Sequence, residues 1–264
     1  MMDLTQAEEA SRLLVTHWRA GQVLGALPEA LCPRSRLEGY AIQAQLERLS
    51  AKPLWGWKIA ATSSAGQKHI GVDGPLAGRI LAEMVYPNGA ILPFGANRMA
   101  VAEAEFAFRI GYSILPREKP YEMQEVLNAV AALHLGIEVP DSRFADFVTA
   151  GAPQLIADNA CAHQFVLGPE APAYWRGMDL AQHRVIGRVG KRYEREGVGA
   201  NVLGDPRIAL TWIANELSRH GVTLAAGQIV TTGTCVVPLE ILPGDEVVAD
   251  FGALGVASMR MAST

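Results

Sequence analysis

The stretch that most constrains this chain is Val101-Ala102-Glu103-Ala104-Glu105-Phe106-Ala107-Phe108, which reads as a strand carrying two acids. Side chains alternate along a strand, so Glu103 and Glu105 share a face with Val101 and Ala107. Ala102, Ala104, Phe106 and Phe108 take the other face. Neighbouring carboxylates on an apolar strand repel each other and lose hydration. Two arrangements relieve this: an edge strand whose polar face is wet, or a divalent cation between the acids. Hard oxygen ligands suit Mg²⁺, Mn²⁺ or Ca²⁺ better than zinc. The spacing alone leaves both arrangements open. Glu138 adds a third carboxylate inside Leu135-Gly136-Ile137-Glu138-Val139-Pro140, an apolar run closed by turn residues, where an acid is hard to explain as surface.

Composition limits what such a strand can serve. The 264 residues suffice for one large domain, or one with a smaller appendage, and half of them are hydrophobic. A net charge of −4 and the lack of any Lys/Arg-rich run give no footprint for nucleic acid or an anionic membrane. Cys32, Cys161 and Cys235 are scattered, which argues against a disulfide framework or a zinc ribbon. Residues 1–6 lack the basic and apolar pattern of an export leader, and no stretch is long enough to span a bilayer. The cytoplasm is the expected location.

Along the chain, Thr5 and Glu8 have capping-box spacing at the start of a helix that carries His17 at its boundary and stops at Gly21. A second box, Ser35 with Glu38, opens another helix. Leu54-Trp55-Gly56-Trp57-Lys58-Ile59-Ala60 reads as a strand with one lysine inside it. Lys58 is either buried and paired, with useful acid–base chemistry, or snorkels to the surface. Asp73 lies in a glycine-rich loop, Ile70 to Ile80, that lacks the order of a phosphate cradle. Residues 113–120 form a polar loop suited to a lid. Met123, Val126, Leu127, Val130, Ala131 and His134 recur at helical spacing, with Gly136 as the stop and His134 packing on the helix face. Residues 183–198 read as a hairpin about Gly190-Lys191, and Asp205-Pro206 opens a helix. Gln228 to Gly233, Glu246 to Phe251 and Val256 to Met261 read as strands. Many irregularly spaced strands with few helices between them indicate an α+β fold rather than a doubly wound sheet.

Together these segments resemble the fumarylacetoacetate hydrolase superfamily, within it the 2-keto-4-pentenoate hydratase / 4-oxalocrotonate decarboxylase branch. Gly56-Trp57-Lys58-Ile59, the Gly71 to Pro75 loop, Glu103-Ala104-Glu105-Phe106, Gly136-Ile137-Glu138 and Asp141-Ser142-Arg143 carry the likeness. Ala157-Asp158-Asn159-Ala160, Val202 to Pro206 and Pro243 to Gly252 complete it in consistent order. The resemblance implies a mixed β-roll catalytic domain over residues 85–264, preceded by a small helical α/β region over residues 1–84 that contributes the lysine. It implies Mg²⁺ or Mn²⁺ held by Glu103, Glu105 and Glu138, and a homo-oligomer that can associate with a pathway neighbour.

The implied substrate is a small 2-hydroxydienoate or its 2-oxo tautomer, from aromatic catabolism, whose C1 carboxylate and C2 oxygen chelate the ion. A lyase of this kind protonates the far end of the diene and adds water, giving a 4-hydroxy-2-oxo acid. Lys58 and Asp73 are the implied proton carriers, and Leu76, Asn159, Cys161 and Thr234 the residues around the substrate. Decarboxylation of a 2-oxo-3-enedioate passes through the same dienolate, so the decarboxylase is the alternative. A non-catalytic partner subunit is the alternative from another class. The chain departs from the family pattern at Cys161, where a small hydroxyl residue is common, at Ala60-Ala61, and at Val236-Val237. These changes make the pocket more apolar and less able to orient water.

Overall fold

In the computed structural model, which describes residues 2–263, helix α1 (Leu4–Arg19) starts at Asp3. The Asp3 carboxylate accepts the Gln6 N–H at 2.8 Å, and Gln6 Oε1 accepts the Asp3 N–H at 3.0 Å. The box expected from Thr5 and Glu8 thus forms two residues earlier, where a carboxylate meets the positive helix end. Ser35 does cap α2 (Arg36–Ala44), but Glu38 accepts from the N–H groups of Met2 and Arg34 rather than closing a box. With α3 (Leu46–Leu49) these helices form the N-terminal part of the chain. Ala7, Ala10, Leu14 and Ile42 bury against Phe144 and Ala157 in a small satellite core.

After the helices, β1 (Leu54–Ala60), α4 (Ser64–His69) and β2 (Leu76–Leu81) make an antiparallel pair with a helical connection. They are followed by β3 (Val85–Pro87), β4 (Ile91–Leu92) and the long strand β5 (Val101–Ile110). Then come α5 (Met123–Asn128), β6 (Val130–Val139), α6 (Ala152–Ala157) and β7 (Gln164–Glu170). The hairpin β8 (Arg184–Val189) and β9 (Tyr193–Val198) precedes α7 (Pro206–Arg219). The chain ends in β10 (Ile229–Thr234), β11 (Leu239–Glu240), β12 (Glu246–Asp250) and β13 (Val256–Met261).

Among the described residues, one sheet runs β2-β1-β10-β5-β6-β7-β3, with β11 on the start of β5, and a second runs β4-β13-β12-β8-β9. Parallel pairs (β1 with β10, β3 with β7) mix with antiparallel ones, giving the expected α+β class with curled, mixed sheets. The first sheet runs across residue 84, the expected boundary between an N-terminal and a catalytic region. β1 and β2 lie before that point and extend a sheet whose centre lies after it.

β5 is central, with β10 on one side and β6 on the other, so the wet edge-strand reading of Glu103 and Glu105 does not hold. Its Ala102, Ala104, Phe106 and Phe108 face is fully buried. Phe106 meets Phe251, just past β12, edge-on at 5.0 Å, which locks the two sheets together.

His134 is the main correction. The helix expected over residues 123–134 ends at Asn128, and His134 stands in β6, paired with Ala107 of β5. Alternation from Val130 onward suits a strand between β5 and β7, and this pairing overrides a short helical stripe. Gly136 is therefore no helix stop: a Cβ there would lie 2.4 Å from the Phe165 ring. The loop of residues 113–120 is also not a lid. Ile114 bridges Leu224, the Arg117 side chain stacks on Tyr121, and the Arg117 N–H donates to the Ser218 hydroxyl on α7. Phe106→Ala should cost about 3–5 kcal/mol of unfolding free energy, read as a lowered urea midpoint, because the void it leaves lies between two sheets that cannot close over it.

Candidate metal centre and its cavity

One face of the first sheet gathers the charged residues. Glu103 lies directly across from Glu138 on β6, and Glu105 follows two residues along β5 on the same face. Opposed like charges on neighbouring strands are destabilising unless something compensates them. Lys58 on β1 supplies part of that: Nζ lies 3.1 Å from Glu138 Oε1 and donates to the Ala160 carbonyl at 3.1 Å. Lys58 is only 3% exposed, so it is the buried, paired lysine and does not snorkel. The Gly233 N–H donates to Glu105 Oε2 at 3.0 Å. Glycine is required there, since φ is +100° and a Cβ would lie 2.0 Å from Thr62 Oγ1.

Compensation is incomplete. Three carboxylates face one ammonium, and one carboxylate oxygen from each can lie within 4.8 Å of the others. Glu105 Oε1 and Glu138 Oε2 are buried without a hydrogen-bond partner. Burial, then the Glu138 charge, pushes Glu103 up to about 7. Burial and the charges of Glu138 and Glu103 push Glu105 well above its ordinary range. Burial works against the Lys58 ammonium too, but Glu138, Glu103 and Glu105 outweigh it and hold the amine above its usual value. Orphaned oxygens, an all-carboxylate donor set and excess negative charge fit a hard divalent cation.

The cluster opens into a cavity of about 890 Å³ lined by residues that include Lys58, Glu103, Leu76, Cys161 and Thr234. Burial, then the Asp158 charge, pushes the Cys161 thiol up to about 12, so it is no thiolate nucleophile. Thr234 Oγ1 donates to the Val236 carbonyl at 2.7 Å and shapes the turn beside the carboxylates.

Two expected residues are not brought to the cavity wall. Asp73 is largely exposed and ion-paired with Arg36, whose guanidinium holds its carboxyl below the usual range. Asn159 instead brackets the backbone of Arg79 in β2, accepting its N–H at 2.6 Å and donating to its carbonyl at 2.8 Å.

That bracket belongs to a feature sequence reasoning missed. Asn159, Ala160 and Cys161 all have left-handed backbone, with φ of 57°, 50° and 60°. Three consecutive non-glycine residues in this region are strained, and such a turn persists only where its surroundings hold it. Here Asp158 is buried in an ion pair with Arg143 and accepts the Ser142 hydroxyl at 2.7 Å. The turn crosses β2 at Gly78, where a Cβ would meet the Asn159 carbonyl at 2.5 Å, and so aims the Ala160 carbonyl at Lys58. No glycine marks the turn, and Asn159, a residue type that tolerates this backbone, is the one sequence signal for it.

Residues 77–262 match the family model described as fumarylacetoacetate (FAA) hydrolase C-terminal. The chain belongs to the FAA hydrolase family. A 2-keto-4-pentenoate hydratase of Paraburkholderia xenovorans (strain LB400) is 32% identical over 261 residues, covering 97% of this chain and 94% of the relative. A 4-oxalocrotonate decarboxylase of Pseudomonas putida is 27% identical over 227 residues, covering 84% of each chain. The solved 4-oxalocrotonate decarboxylase from Pseudomonas putida G7, complexed with magnesium and adipate, superposes with a TM-score of 0.89 at 23% identity and covers 99% of both chains. With hydratases and a decarboxylase as its relatives, this FAA hydrolase family member is an enzyme. Among the described residues, no helix is long and apolar enough to cross a membrane.

The raised acids give a pH test with a definite sign. Protonation of Glu103 stabilises the metal-free fold fully below its ordinary 4.5, and that contribution is lost as pH rises through about 7. A dication competes with these protons. Mg²⁺ at roughly 100 times its Kd should therefore raise Tm by roughly 5–10 °C at about pH 8 and much less at about pH 5.5. Scanning calorimetry reads both. Glu105→Gln should remove the Mg²⁺ response and raise the Tm of the metal-free protein at about pH 8, because it deletes an uncompensated buried charge.

Proposed function

We propose that this enzyme is a Mg²⁺- or Mn²⁺-dependent hydratase that converts 2-hydroxypenta-2,4-dienoate, or a close analogue, to a 4-hydroxy-2-oxo acid. One observation carries the reading: Glu103, Glu105 and Glu138 converge with orphaned oxygens beside Lys58 at the wall of a cavity fit for a small molecule. The 32% identity to named 2-keto-4-pentenoate hydratases, over nearly the whole chain, supports the same substrate class. The neighbouring decarboxylase crystallised with magnesium supports the choice of ion.

Glu103, Glu105 and Glu138 would hold the ion, whose positive charge would stabilise the oxyanion of a 2-hydroxydienoate. Lys58 does the remaining electrostatic work: its ammonium faces the cavity between Glu138 and the Ala160 carbonyl, and favours an anionic substrate. We assign the proton transfers to Lys58, because Asp73 stands outside the cavity and is tied to Arg36. Thr62, Ser63 and Thr234 supply hydroxyl groups along the wall, where an attacking water can be held.

One observation favours the decarboxylase as second reading. Cys161 and Val236 both line the cavity, and they leave fewer groups to orient a water. Release of CO₂ from 2-oxohex-3-enedioate, without net hydration of the dienoate, would decide for it.

Freshly generated 2-hydroxypenta-2,4-dienoate should lose its dienol absorbance with the purified protein and Mg²⁺, with 4-hydroxy-2-oxopentanoate as product, and should persist after chelation. Lys58→Met should lower kcat by roughly 10²-fold or more with far-ultraviolet circular dichroism unchanged. Persistence of the dienol with intact protein and either ion would sink the hydratase reading.

A further inference from the structure

We infer that the cavity carries an apolar subsite for the distal end of the substrate, so that the preferred 2-hydroxydienoate is a monocarboxylate with an alkyl or aryl tail. This rests on the proposed function only for the placement of the 2-oxo acid head at the carboxylates.

The wall next to the charged cluster is apolar by construction. On β5, Val101 shares the face of Glu103 and lines the cavity roughly 7 Å further along the strand. Met99 continues the lining beyond it. Thr234 pairs with Glu105 and Leu239 with Ala102, so the intervening loop flanks that same stretch of β5. Its Val236 and Val237 both line the cavity. Phe147 and Leu203 supply apolar surface from other loops. An apolar track thus leads away from Glu103.

Charge excludes the competing tail. Besides the Cys161 thiol, the ionisable side chains of the lining are Lys58, Glu103 and His69, and Lys58 is engaged by Glu138. His69 stands edge-on to Phe147, with ring centroids 6.2 Å apart. Among the described residues, no arginine lines the cavity. A second carboxylate on the substrate would leave water without a cation to meet it. Size points the same way. The cavity of about 890 Å³ is near the top of the range that houses drug-sized ligands, whereas 2-hydroxypenta-2,4-dienoate has only eight non-hydrogen atoms.

The test separates the tail from the chemistry by using unreactive 2-oxo acids that share the head group. Titration calorimetry of the Mg²⁺-loaded protein should show 2-oxooctanoate binding roughly 10-fold or more tightly than 2-oxopentanoate. The dicarboxylate 2-oxoheptanedioate should bind no better than 2-oxopentanoate. Val237 is 65% exposed at the cavity mouth, so Val237→Arg should leave the fold intact and shift the preference toward the dicarboxylate by roughly 10-fold. Equal affinities, a dicarboxylate preference in the unaltered protein, or an order that Val237→Arg does not change would each overturn the subsite. Dienoate turnover is followed in parallel. The expected binding order without turnover would uphold the subsite and sink the hydratase reading. Turnover with a flat binding order would overturn the subsite alone. No binding by any of the three acids would overturn the subsite, and together with no turnover it would overturn both.

Discussion

The structure depends on an unbalanced charge held on one face of a central sheet. Glu103 and Glu138 oppose each other across β5 and β6, Glu105 stands beside them, and the Lys58 ammonium is set against them. Such a cluster disfavours its own fold in the absence of a cation, and the remainder of the molecule must outweigh it. The other face of β5 does so, with Phe106 and Phe108 buried between two sheets. Apolar packing on one side of a strand therefore permits electrostatic strain on the other, of the kind that a dication would relieve.

The second support is the left-handed turn at Asn159, Ala160 and Cys161. It is gripped from two sides, by the Arg143–Asp158 pair and by the Asn159 bracket on β2. Its Ala160 carbonyl accepts from the Lys58 ammonium, which Glu138 also holds. The same segment links the satellite helical core to the site, because Phe144 follows Arg143 and Ala157 precedes Asp158. The small helical cluster thereby helps to aim the lysine.

Much of this was legible in the sequence, and the reasons are specific. Strand alternation placed Glu103 and Glu105 on one face, and an acid inside an apolar run singled out Glu138. Period-two and capping signals located the 183–198 hairpin and the Asp205 cap because these are local. His134 was misread because a short stripe fits two periods until strand pairing decides between them. The role of Asn159 was hidden because its partner, the backbone of Arg79, is distant in sequence. Asp73 was singled out by loop chemistry and resemblance, and its pairing with Arg36, 37 residues earlier, leaves no mark in the sequence. Backbone donors such as the Gly233 N–H leave no mark on residue type.

The parallel pairing of β1 with β10 has a consequence for how the protein is made. Gly56 and Trp57 register with Ile229 and Val230, so the strand bearing Lys58 reaches β5 only through a strand near the far end of the chain. During synthesis the three acids can assemble once β6 has left the ribosome, while their lysine still lacks its neighbour. For that interval the nascent chain holds an acidic surface without its counter-charge, and closure awaits a long-range contact that is slow by its topology. The candidate site is therefore among the last parts of this molecule to come into existence.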